Sequence, residues 1–492
     1  MASLSEIRQE RLKKIDILKK AGMDPYPSSV PHTHLISEIK SDFETLEKSG
    51  KEVSLSGRVM AIRGQGAIRF FVIKDDNEEF QVVVKKDEIK EDKFDLLYDT
   101  ADIGDFISFT GNLFVTQRGE NSLLAKDWQM ASKSLLPLPE KWHGLQDTET
   151  KYRQRYLEII SDSEAFQRYE IRSKIIRDIR QYLDSKHLLE VETPILQSQT
   201  GGAMAKVFET HHNALDQKMV LRIALEIDHK ILMTAGYNGV YEIGKCFRNE
   251  GMDSSHIQEF TMLEWYAAYK TLDDNISWTE EMIRNIALNN FNKSVFKVYD
   301  KDDNEHEVDF SKPFEQVRFD ELLERDANID AKTASIEDIR SKAIEVGVDQ
   351  KEVEGTGRGN LLDAIYKKTS RGKIINPTFV TNYPQELKPL AKPAGDGTSI
   401  VAQLVIAGSE ITNMYGELID PVVQRDLLEH QSEAKAKGDE EAMEVDDRFL
   451  TAMEHGMPPM TGFGMGIDRF CAILLEEKNI RDTIFFPLVK NE

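Results

Sequence analysis

Cysteine is scarce in this chain, which has only Cys246 and Cys471 in 492 residues. Two cysteines so far apart exclude a disulfide framework and a cysteine-built zinc site, and they fit a reducing compartment. An uninterrupted apolar run of about 18 residues is also missing, and the N-terminus is charged throughout up to Lys20. We therefore expect no membrane span, no export signal and a cytoplasmic location.

Positive charge is in deficit as well, because 63 Lys and Arg face 86 Asp and Glu, a net charge of −23. This balance argues against an extended nucleic-acid surface, since phosphate contacts require Lys and Arg. Basic residues are nevertheless concentrated in the helix predicted at the N-terminus. That helix either contacts RNA or presents a solvated face, and both interpretations stay open. The residues concerned are Arg8, Arg11, Lys13, Lys14, Lys19 and Lys20.

The length allows two or three domains, and 40% hydrophobic with 30% charged residues is typical of a globular protein. From about Val53 to Met130, short runs of β-branched and aromatic residues alternate with Gly, Asp and Asn. This pattern predicts five or so short strands. Such strands within about 80 residues are typical of a small barrel of the oligonucleotide-binding (OB) type.

After the barrel region the pattern becomes helical. Ser161 and Glu164 have the spacing of a capping box, and apolar residues repeat at helical intervals over 175–183. This predicts a long helix that leads into a strand at 190–194. Residues 240–250 and 259–266 then predict two strands joined by a polar loop.

A glycine-rich stretch near the C-terminus, 461–469 (TGFGMGIDR), has glycine at every second position and leads into an amphipathic helix. Glycine lets a strand backbone approach a flat ligand, and Arg469 at the helix start can reach a phosphate. The stretch is neither a Walker loop nor a dinucleotide fingerprint. It indicates a nucleotide site, with tight strand–helix packing as the alternative explanation.

One predicted strand carries a carboxylate among apolar residues. Alternate strand residues share a face, so we expect Phe260, Met262, Glu264 and Tyr266 to lie together. A buried carboxylate is costly unless it meets a cation. That cation is either a core Arg or Lys or a cationic ligand, and the strand alone does not decide between them.

In chain order, residues 189–194, 240–266 and 461–469 resemble the three signature motifs of class II aminoacyl-tRNA synthetases. Within that class the chain is most similar to bacterial-type lysyl-tRNA synthetases, whose own particular stretches resemble residues 143–147, 201–216 and 377–381. The resemblance covers nearly the whole chain. It implies an α+β protein with an N-terminal five-stranded OB-type barrel and a catalytic domain built on an antiparallel sheet flanked by helices.

The resemblance also implies an organisation and a reaction. We expect a homodimer whose interface is built around the long helix. The enzyme would be a lysine–tRNA ligase that uses ATP and Mg²⁺, with more than one ion, to form lysyl-adenylate and then transfers L-lysine to the 3′ end of tRNA(Lys). The expected domains are an N-terminal helical segment at 1–50, the anticodon-binding barrel at 51–134, a linker at 135–160, and the catalytic domain at 161–492 with a helical insertion at about 279–369.

Substrate positions follow from the resemblance residue by residue. Glu264 and Glu417, with Tyr266, match the positions that surround the side-chain ammonium of lysine. A compact ammonium with three donors suits carboxylates that approach from different directions. Glu226 and the backbone at Gly202 match the positions that hold the α-amino group. The full lysine set is Gly202, Glu226, Glu264, Tyr266, Asn413 and Glu417.

For ATP, the resemblance implies that Arg248 contacts the α-phosphate and Arg469 the γ-phosphate, and these two are the expected catalytic residues. Phe260 would stack on adenine. A structural ion pair between Arg248 and Glu250, on one strand face, is the alternative. The full nucleotide set is Arg248, Glu250, His256, Phe260, Glu410, Gly466 and Arg469, and the metal set is Gln403, Glu410 and Glu417.

In the barrel, four residues match the family's anticodon-reading positions. An aromatic ring and amide groups suit splayed single-stranded bases. A lone Phe in a barrel is more often a core residue, and this alternative stays open. The four residues are Arg63, Phe70, Gln81 and Glu120.

The chain departs from the family pattern at Gln403, where most members have a carboxylate that shares the catalytic magnesium, and at Ile257-Gln258 in the motif 2 loop. Gln403 keeps open a catalytically weak paralogue that binds RNA or has a regulatory role. Aspartyl- and asparaginyl-tRNA synthetases share the architecture, but their pockets need cationic residues. Glu264 and Glu417 argue against those two enzymes.

Overall fold

The computed structural model describes residues 3–139, 147–199, 201–202, 205–354, 356–436 and 445–490. Of the family-like stretches, residues 143–146 and 203–204 lie outside this part of the chain. The chain divides into two compact units, Met1–Gln167 and Arg168–Glu492. Within the described ranges, no helix has both the length and the apolarity needed to cross a bilayer.

The first unit contains a closed barrel whose strand order is β1-β2-β3-β5-β4, which confirms the predicted five-stranded OB-type fold. Helices precede the barrel, interrupt it after β3 and follow it. The elements are α1 Leu4–Lys20, α2 Ile36–Ser41, α3 Phe43–Ser49, β1 Val53–Arg63, β2 Ile68–Asp75, β3 Glu78–Lys85, α4 Glu91–Thr100, β4 Phe106–Val115, β5 Asn121–Ser132, α5 Thr148–Arg153 and α6 Arg155–Ser161.

Basic residues of α1 have a role in the first unit that the sequence pattern did not indicate. Arg11 is buried and donates hydrogen bonds to the carbonyls of Ile103 and Leu136 at 3.1 and 3.0 Å. Lys14 Nζ lies 2.7 Å from Asp102. These two cations hold α1 against loops of the barrel, so their charges are already paired or hydrogen-bonded within the first unit.

The second unit is built on a mixed, mainly antiparallel sheet, as the resemblance implied. The helix α7, Ser163–Ser185, begins at the end of the first unit and continues into the second. The further elements are β6 Leu189–Glu190, β7 Leu196–Gln197, β8 Glu209–His212, β9 Gln217–Leu221, α8 Glu226–Met233, β10 Gly239–Phe247, β11 Glu259–Ala268, α9 Leu272–Phe291, β12 Val295–Tyr299, β13 Glu305–Asp309, β14 Glu315–Arg318, α10 Phe319–Ala327, α11 Ile336–Glu345, α12 Gln350–Val353, α13 Arg358–Thr369, β15 Thr378–Thr381, β16 Val401–Ile406, β17 Ser409–Gly416, α14 Pro421–Ala436, α15 Asp447–Glu454, β18 Met460–Gly466 and α16 Ile467–Leu474.

Within the described residues the main sheet has eight strands in the order β14-β15-β16-β17-β18-β11-β10-β6. Helices α7, α9 and α16 pack on one face. Leu263 and Trp265 of β11 point into this core, where the Trp265 ring stacks on Phe463. The intervening residues of β11 point to the opposite face, as the alternation of strand residues requires. That opposite face carries the principal cavity of the unit.

Three local predictions need correction. Asp162, rather than Ser161, caps α7 by accepting from the Glu164 N–H at 2.9 Å, because the Ser161 hydroxyl donates back to Leu157 of α6. The strand predicted at 190–194 is only the two residues of β6, although Val191 N–H still donates to the Tyr241 carbonyl. The predicted insertion at 279–369 is not purely helical: it begins inside α9 and includes the β12–β13 hairpin and β14 of the main sheet.

Candidate functional site

A cavity of about 310 Å³ lies on the open face of the main sheet. Strands β11, β17 and β18 form its floor. Because alternate residues of β11 face it, Phe260, Met262, Glu264 and Tyr266 line the cavity together. Glu226, Glu264 and Glu417 lie toward the Tyr266 end of β11, and the arginines Arg248 and Arg469 lie toward the Phe260 end.

Glu264 is the central carboxylate of the first end. It is buried, accepts from the Leu225 N–H at 3.2 Å and from the Tyr266 hydroxyl at 3.4 Å. Burial and the nearby Glu226 raise the pKa of Glu264 to about 8. Among the described residues, no cation lies at ion-pair distance from this carboxyl. The ammonium of a ligand would supply the missing partner.

Glu417 lines the same end, and a lysine of the chain itself lies behind it. Lys230 Nζ is 2.6 Å from Glu417 Oε2 and 2.7 Å from Glu226 Oε1. Within the described residues, Glu417 Oε1 has no hydrogen-bond partner. Burial raises the pKa of Glu417 above its usual range, and Lys230 opposes this shift. The sequence pattern did not single out Lys230, although its i, i+4 spacing from Glu226, which α8 turns into a contact, was the available signal.

Gly202 lies beside Glu226 and has a positive φ of 81°. A Cβ at position 202 would lie 2.8 Å from the Glu226 Cβ, so any side chain there would collide with the side chain of Glu226. Glycine is therefore required both by the backbone conformation and by the close approach. The structure brings Gly202 and Glu226 to one wall of the cavity.

Asn413 and Gln403 form a cross-strand pair on β17 and β16. Gln403 donates to Asn413 Oδ1 at 3.4 Å, and Asn413 in turn donates to the Tyr415 hydroxyl at 2.8 Å. Asn413 and Tyr415 line the cavity, whereas Gln403 is buried and is not among the described lining residues. The structure thus places Gln403 behind the wall, where its amide orients Asn413.

The metal set is therefore not brought together as expected. Glu410 lines the cavity as a half-buried carboxylate, but Glu417 uses one oxygen for Lys230 and Gln403 lies behind Asn413. The described residues contain no cluster of three or more His, Cys, Asp or Glu side chains able to hold a metal ion. A single carboxylate beside phosphate oxygens still suits Mg²⁺, which keeps most of its ligands as water and phosphate.

Arg248 marks the other end of the cavity, with its guanidinium 5.1 Å from the centre of the Phe260 ring. The expectation that Arg248 and Glu250 share a strand face is wrong, because β10 ends at Phe247. The two residues instead form a tight turn in which Glu250 N–H donates to the Arg248 carbonyl at 2.9 Å. No ion pair joins their side chains in the described structure, so both remain directed to the cavity.

Arg469 connects α16 to the loop between β10 and β11. Its guanidinium donates to the carbonyls of Ser255 at 3.2 Å and Glu410 at 3.1 Å, and Nη2 lies 2.8 Å from His256 Nε2. His256 Nδ1 contacts Asp253 at 2.9 Å. These contacts hold Arg469 and His256 side by side at the edge of the cavity.

The glycines of β18 serve two different purposes. A Cβ on Gly462 would overlap Glu417 and Tyr266, so this glycine exists to admit the carboxylate end of the cavity. A Cβ on Gly466 would meet nothing within 4 Å. Gly466 therefore leaves open space at the arginine end, and close packing explains Gly462 but not Gly466.

The predicted anticodon residues occupy connected strands of the barrel in the first unit. Arg63 and Phe70 are register partners on β1 and β2, and Gln81 on β3 donates to Ser122 at 2.8 Å. Glu120 is exposed just before β5. Phe70 is only half-buried, whereas the adjacent Phe71 is the core residue. The core alternative for Phe70 therefore does not hold.

Comparison with known proteins gives two family matches. The family model described as "tRNA synthetases class II (D, K and N)" matches residues 147–490, and the model described as "OB-fold nucleic acid binding domain" matches residues 53–131. Curated relatives named "Lysine--tRNA ligase" are similar over almost the whole chain. That of Carboxydothermus hydrogenoformans is 40% identical, covering 99% of this chain and 98% of the relative. Those of Prochlorococcus marinus (strain MIT 9312) and Fervidobacterium nodosum are 40% and 39% identical, covering 99% of this chain in each case and 97% and 95% of the relatives.

Proposed function

This chain belongs to the class II lysine–tRNA ligases, and from that premise we propose how its own residues carry out the reaction. The enzyme is an aminoacyl-tRNA synthetase that activates L-lysine with ATP. The lysine carboxylate attacks the α-phosphorus, pyrophosphate leaves, and lysyl-adenylate forms. A hydroxyl of the terminal tRNA ribose then attacks the lysyl carbonyl carbon and AMP leaves.

The observation that carries the assignment of the pocket is the pair of buried carboxylates, Glu264 and Glu417, that line one end of the cavity. Both side chains line the cavity, and Glu417 Oε1 has no hydrogen-bond partner within the described residues. We propose that the side-chain ammonium of substrate lysine lies between them, beside the Tyr266 hydroxyl. Three donors of one ammonium can satisfy acceptors that converge from different strands.

The α-amino group is assigned to the wall made by Glu226 and Gly202. Glu226 supplies a buried carboxylate there, and the Gly202 backbone can approach because no side chain intervenes. Asn413, held by Gln403, closes the pocket from β17. This arrangement directs the substrate carboxylate toward Arg248, which is the orientation that the first step needs.

At the nucleotide end, Arg248 is proposed to neutralise the α-phosphate as charge develops, and Arg469 to hold the γ-phosphate. Such chemistry depends on positioning and charge neutralisation more than on proton transfer. Phe260 would stack on the adenine, with Glu250, His256 and Gly466 around the nucleotide. Magnesium supplies further neutralisation of the triphosphate when bound, and Glu410 is the protein carboxylate that would hold it.

Anticodon recognition is assigned to the barrel surface around Phe70. Its ring is accessible for base stacking, and Arg63, Gln81 and Glu120 on connected strands supply charged and amide groups. The proposed partner is tRNA(Lys). The division at 51–134 for this module and 161–492 for the catalytic domain is part of the same proposal.

We also propose a homodimer in a cytoplasmic setting. The segment after α7 exposes apolar residues, with Leu189, Ile195 and Leu196 each between 42% and 48% exposed. Apolar residues grouped in one short segment favour burial against a second copy. The absence of a disulfide framework in the sequence supports the reducing location.

The decisive experiment is exchange of labelled pyrophosphate into ATP without tRNA. We expect exchange to require L-lysine and magnesium, since both substrate ends lie in the second unit. If aspartate or asparagine supported exchange better than lysine does, the pocket assignment would be wrong. Absence of exchange with any amino acid, together with retained tRNA binding, would instead favour an RNA-binding paralogue.

A further inference from the structure

The ammonium of Lys230 is enclosed completely. Its side chain is 0% exposed, and it lies between two carboxylates and two aromatic rings. Nζ is 2.7 Å from Glu226, 2.6 Å from Glu417, 5.8 Å from the Phe449 ring centre and 6.0 Å from that of Tyr415. Lys230 is not among the described residues that line the cavity. A substrate therefore meets the carboxylates and not the lysine.

Both partners of Lys230 belong to the proposed lysine pocket. Lys230 Nζ lies 2.6 Å from Glu417 Oε2, and Glu417 Oε1 has neither an ion pair nor a hydrogen bond in the described structure. Lys230 also donates a hydrogen bond to Glu226 Oε1 at 2.7 Å. Without the lysine, two carboxylates that share one buried position would repel each other, and one would take up a proton or move away.

The charges of the buried groups indicate why the protein places the ammonium of Lys230 beside the pocket. Glu226, Glu264 and Glu417 are three buried carboxylates at the cavity, and Lys230 is the buried ammonium paired with two of them. With all three carboxylates ionised, the state that binds ammonium groups, two negative charges remain for a ligand. Free lysine carries two ammonium groups, whereas an amino acid with a neutral side chain carries one.

We propose that Lys230 is a positioning residue that sets the amino-acid specificity of this pocket, by fixing Glu226 and Glu417 and leaving two negative charges for a ligand with two ammonium groups. The inference rests on the proposed pocket and adds the reason for its selectivity. Lys230 acts through the two carboxylates and makes no contact with the substrate.

The test compares Lys230→Met with Lys133→Met in tRNA-independent exchange. Lys133 is a matched control because it is also 0% exposed at its side chain and lies 2.5 and 2.7 Å from Asp102 and Asp105, in the barrel unit. We expect Lys230→Met to raise KM for lysine about tenfold to hundredfold and to change kcat by less than about threefold. This result is expected when a substitution weakens the binding of the ground state and of the transition state by the same amount. Lys133→Met should leave KM for lysine unchanged, whatever it costs in stability.

Selectivity is the second readout. The ratio of kcat/KM for lysine to that for norleucine, which has an uncharged side chain of similar shape, should fall at least about tenfold in Lys230→Met. Lys230→Arg keeps the charge and should recover most of the discrimination. Lys230→Gln is the second neutral variant, used if the methionine variant does not fold, and should behave like it.

The outcomes separate the inference from the pocket assignment. If the wild-type protein shows no lysine-dependent exchange, the proposed pocket fails first. If the wild type is active but the folded neutral variants retain both KM for lysine and the norleucine ratio, Lys230 is structural only and the inference is overturned. Equal losses in the Lys133 variant would overturn it as well, because any buried lysine would then give the same effect.

Discussion

Arg172 Nη2 lies 2.6 Å from Asp468 Oδ1, and this ion pair joins α7 to α16 across 296 residues of sequence. The other oxygen of Asp468 accepts from the Thr261 N–H of β11 at 2.8 Å. Asp468 is buried and directly precedes Arg469. The pair therefore fixes the start of α16 on the sheet, and with it the position of Arg469 at the edge of the cavity.

Removing one member of this pair should affect both stability and ATP use. Arg172→Met leaves Asp468 buried without its cation, which should cost about 3–5 kcal/mol of unfolding free energy. In the folded fraction, KM for ATP should rise more than KM for lysine, because Arg469 is displaced and Glu264 is not. Urea unfolding and exchange kinetics measure the two effects. A purely local role would be indicated if KM for ATP stayed unchanged.

Lysine binding should strengthen with pH between about 6.5 and 8.5. The pKa of Glu264 is raised to about 8 by burial, so the free enzyme holds this carboxyl largely protonated at neutral pH. A substrate ammonium needs the ionised form, and binding must release the proton below pH 8. Calorimetric titration with L-lysine should show tighter binding and less proton release as pH rises.

For the free enzyme, Glu264 predicts that folding stability falls as pH rises. A carboxyl whose folded pKa lies above its unfolded value of about 4.5 favours folding below that value, and this contribution is lost as pH rises toward 8. Glu264→Gln should weaken both pH effects and leave only the part that comes from the raised pKa of Glu417. It should also lower kcat/KM for lysine by a factor equivalent to about 3–5 kcal/mol. A glutamine variant with the wild-type pH profile would assign the titration to another group.

Gln403→Glu should weaken lysine binding without changing the magnesium requirement. An ionised carboxylate cannot donate to Asn413 Oδ1, so the Asn413 amide loses its orienting hydrogen bond. One such bond is worth about 0.5–1.5 kcal/mol, which corresponds to roughly a twofold to tenfold rise in KM for lysine. The measurement is a lysine titration and a free-magnesium titration of both proteins. A lower magnesium concentration at half-maximal exchange in the variant would instead make position 403 a metal site.

Two adjacent phenylalanines of the barrel should separate RNA recognition from folding. Phe70→Ala should raise KM for tRNA(Lys) in aminoacylation by an amount equivalent to about 1–3 kcal/mol, as expected for one lost base stack, and should leave tRNA-independent exchange intact. Phe71→Ala removes a core ring and should cost about 3–5 kcal/mol of barrel stability. Similar unfolding curves for the two variants would place Phe70 in the core.

The sequence by itself determined the class of fold and the face of β11 that carries chemistry. Period-two alternation in a strand follows from backbone geometry, so Phe260, Met262, Glu264 and Tyr266 had to share a side. The order and spacing of the three motifs then indicated the family, and the composition indicated a barrel ahead of a larger domain. These signals are local or depend only on chain order.

The tertiary structure alone decided which groups neutralise one another. Lys230 between Glu226 and Glu417, Arg172 against Asp468, and Gln403 behind Asn413 each depend on how separate elements pack. The spacing of side chains along the sequence predicts which face of an element they share. It does not predict the partner on the next element, which depends on packing, because a buried charge or amide without a partner is costly. For that reason the sequence marked the pocket carboxylates, and only the packed structure revealed the lysine that holds two of them in place.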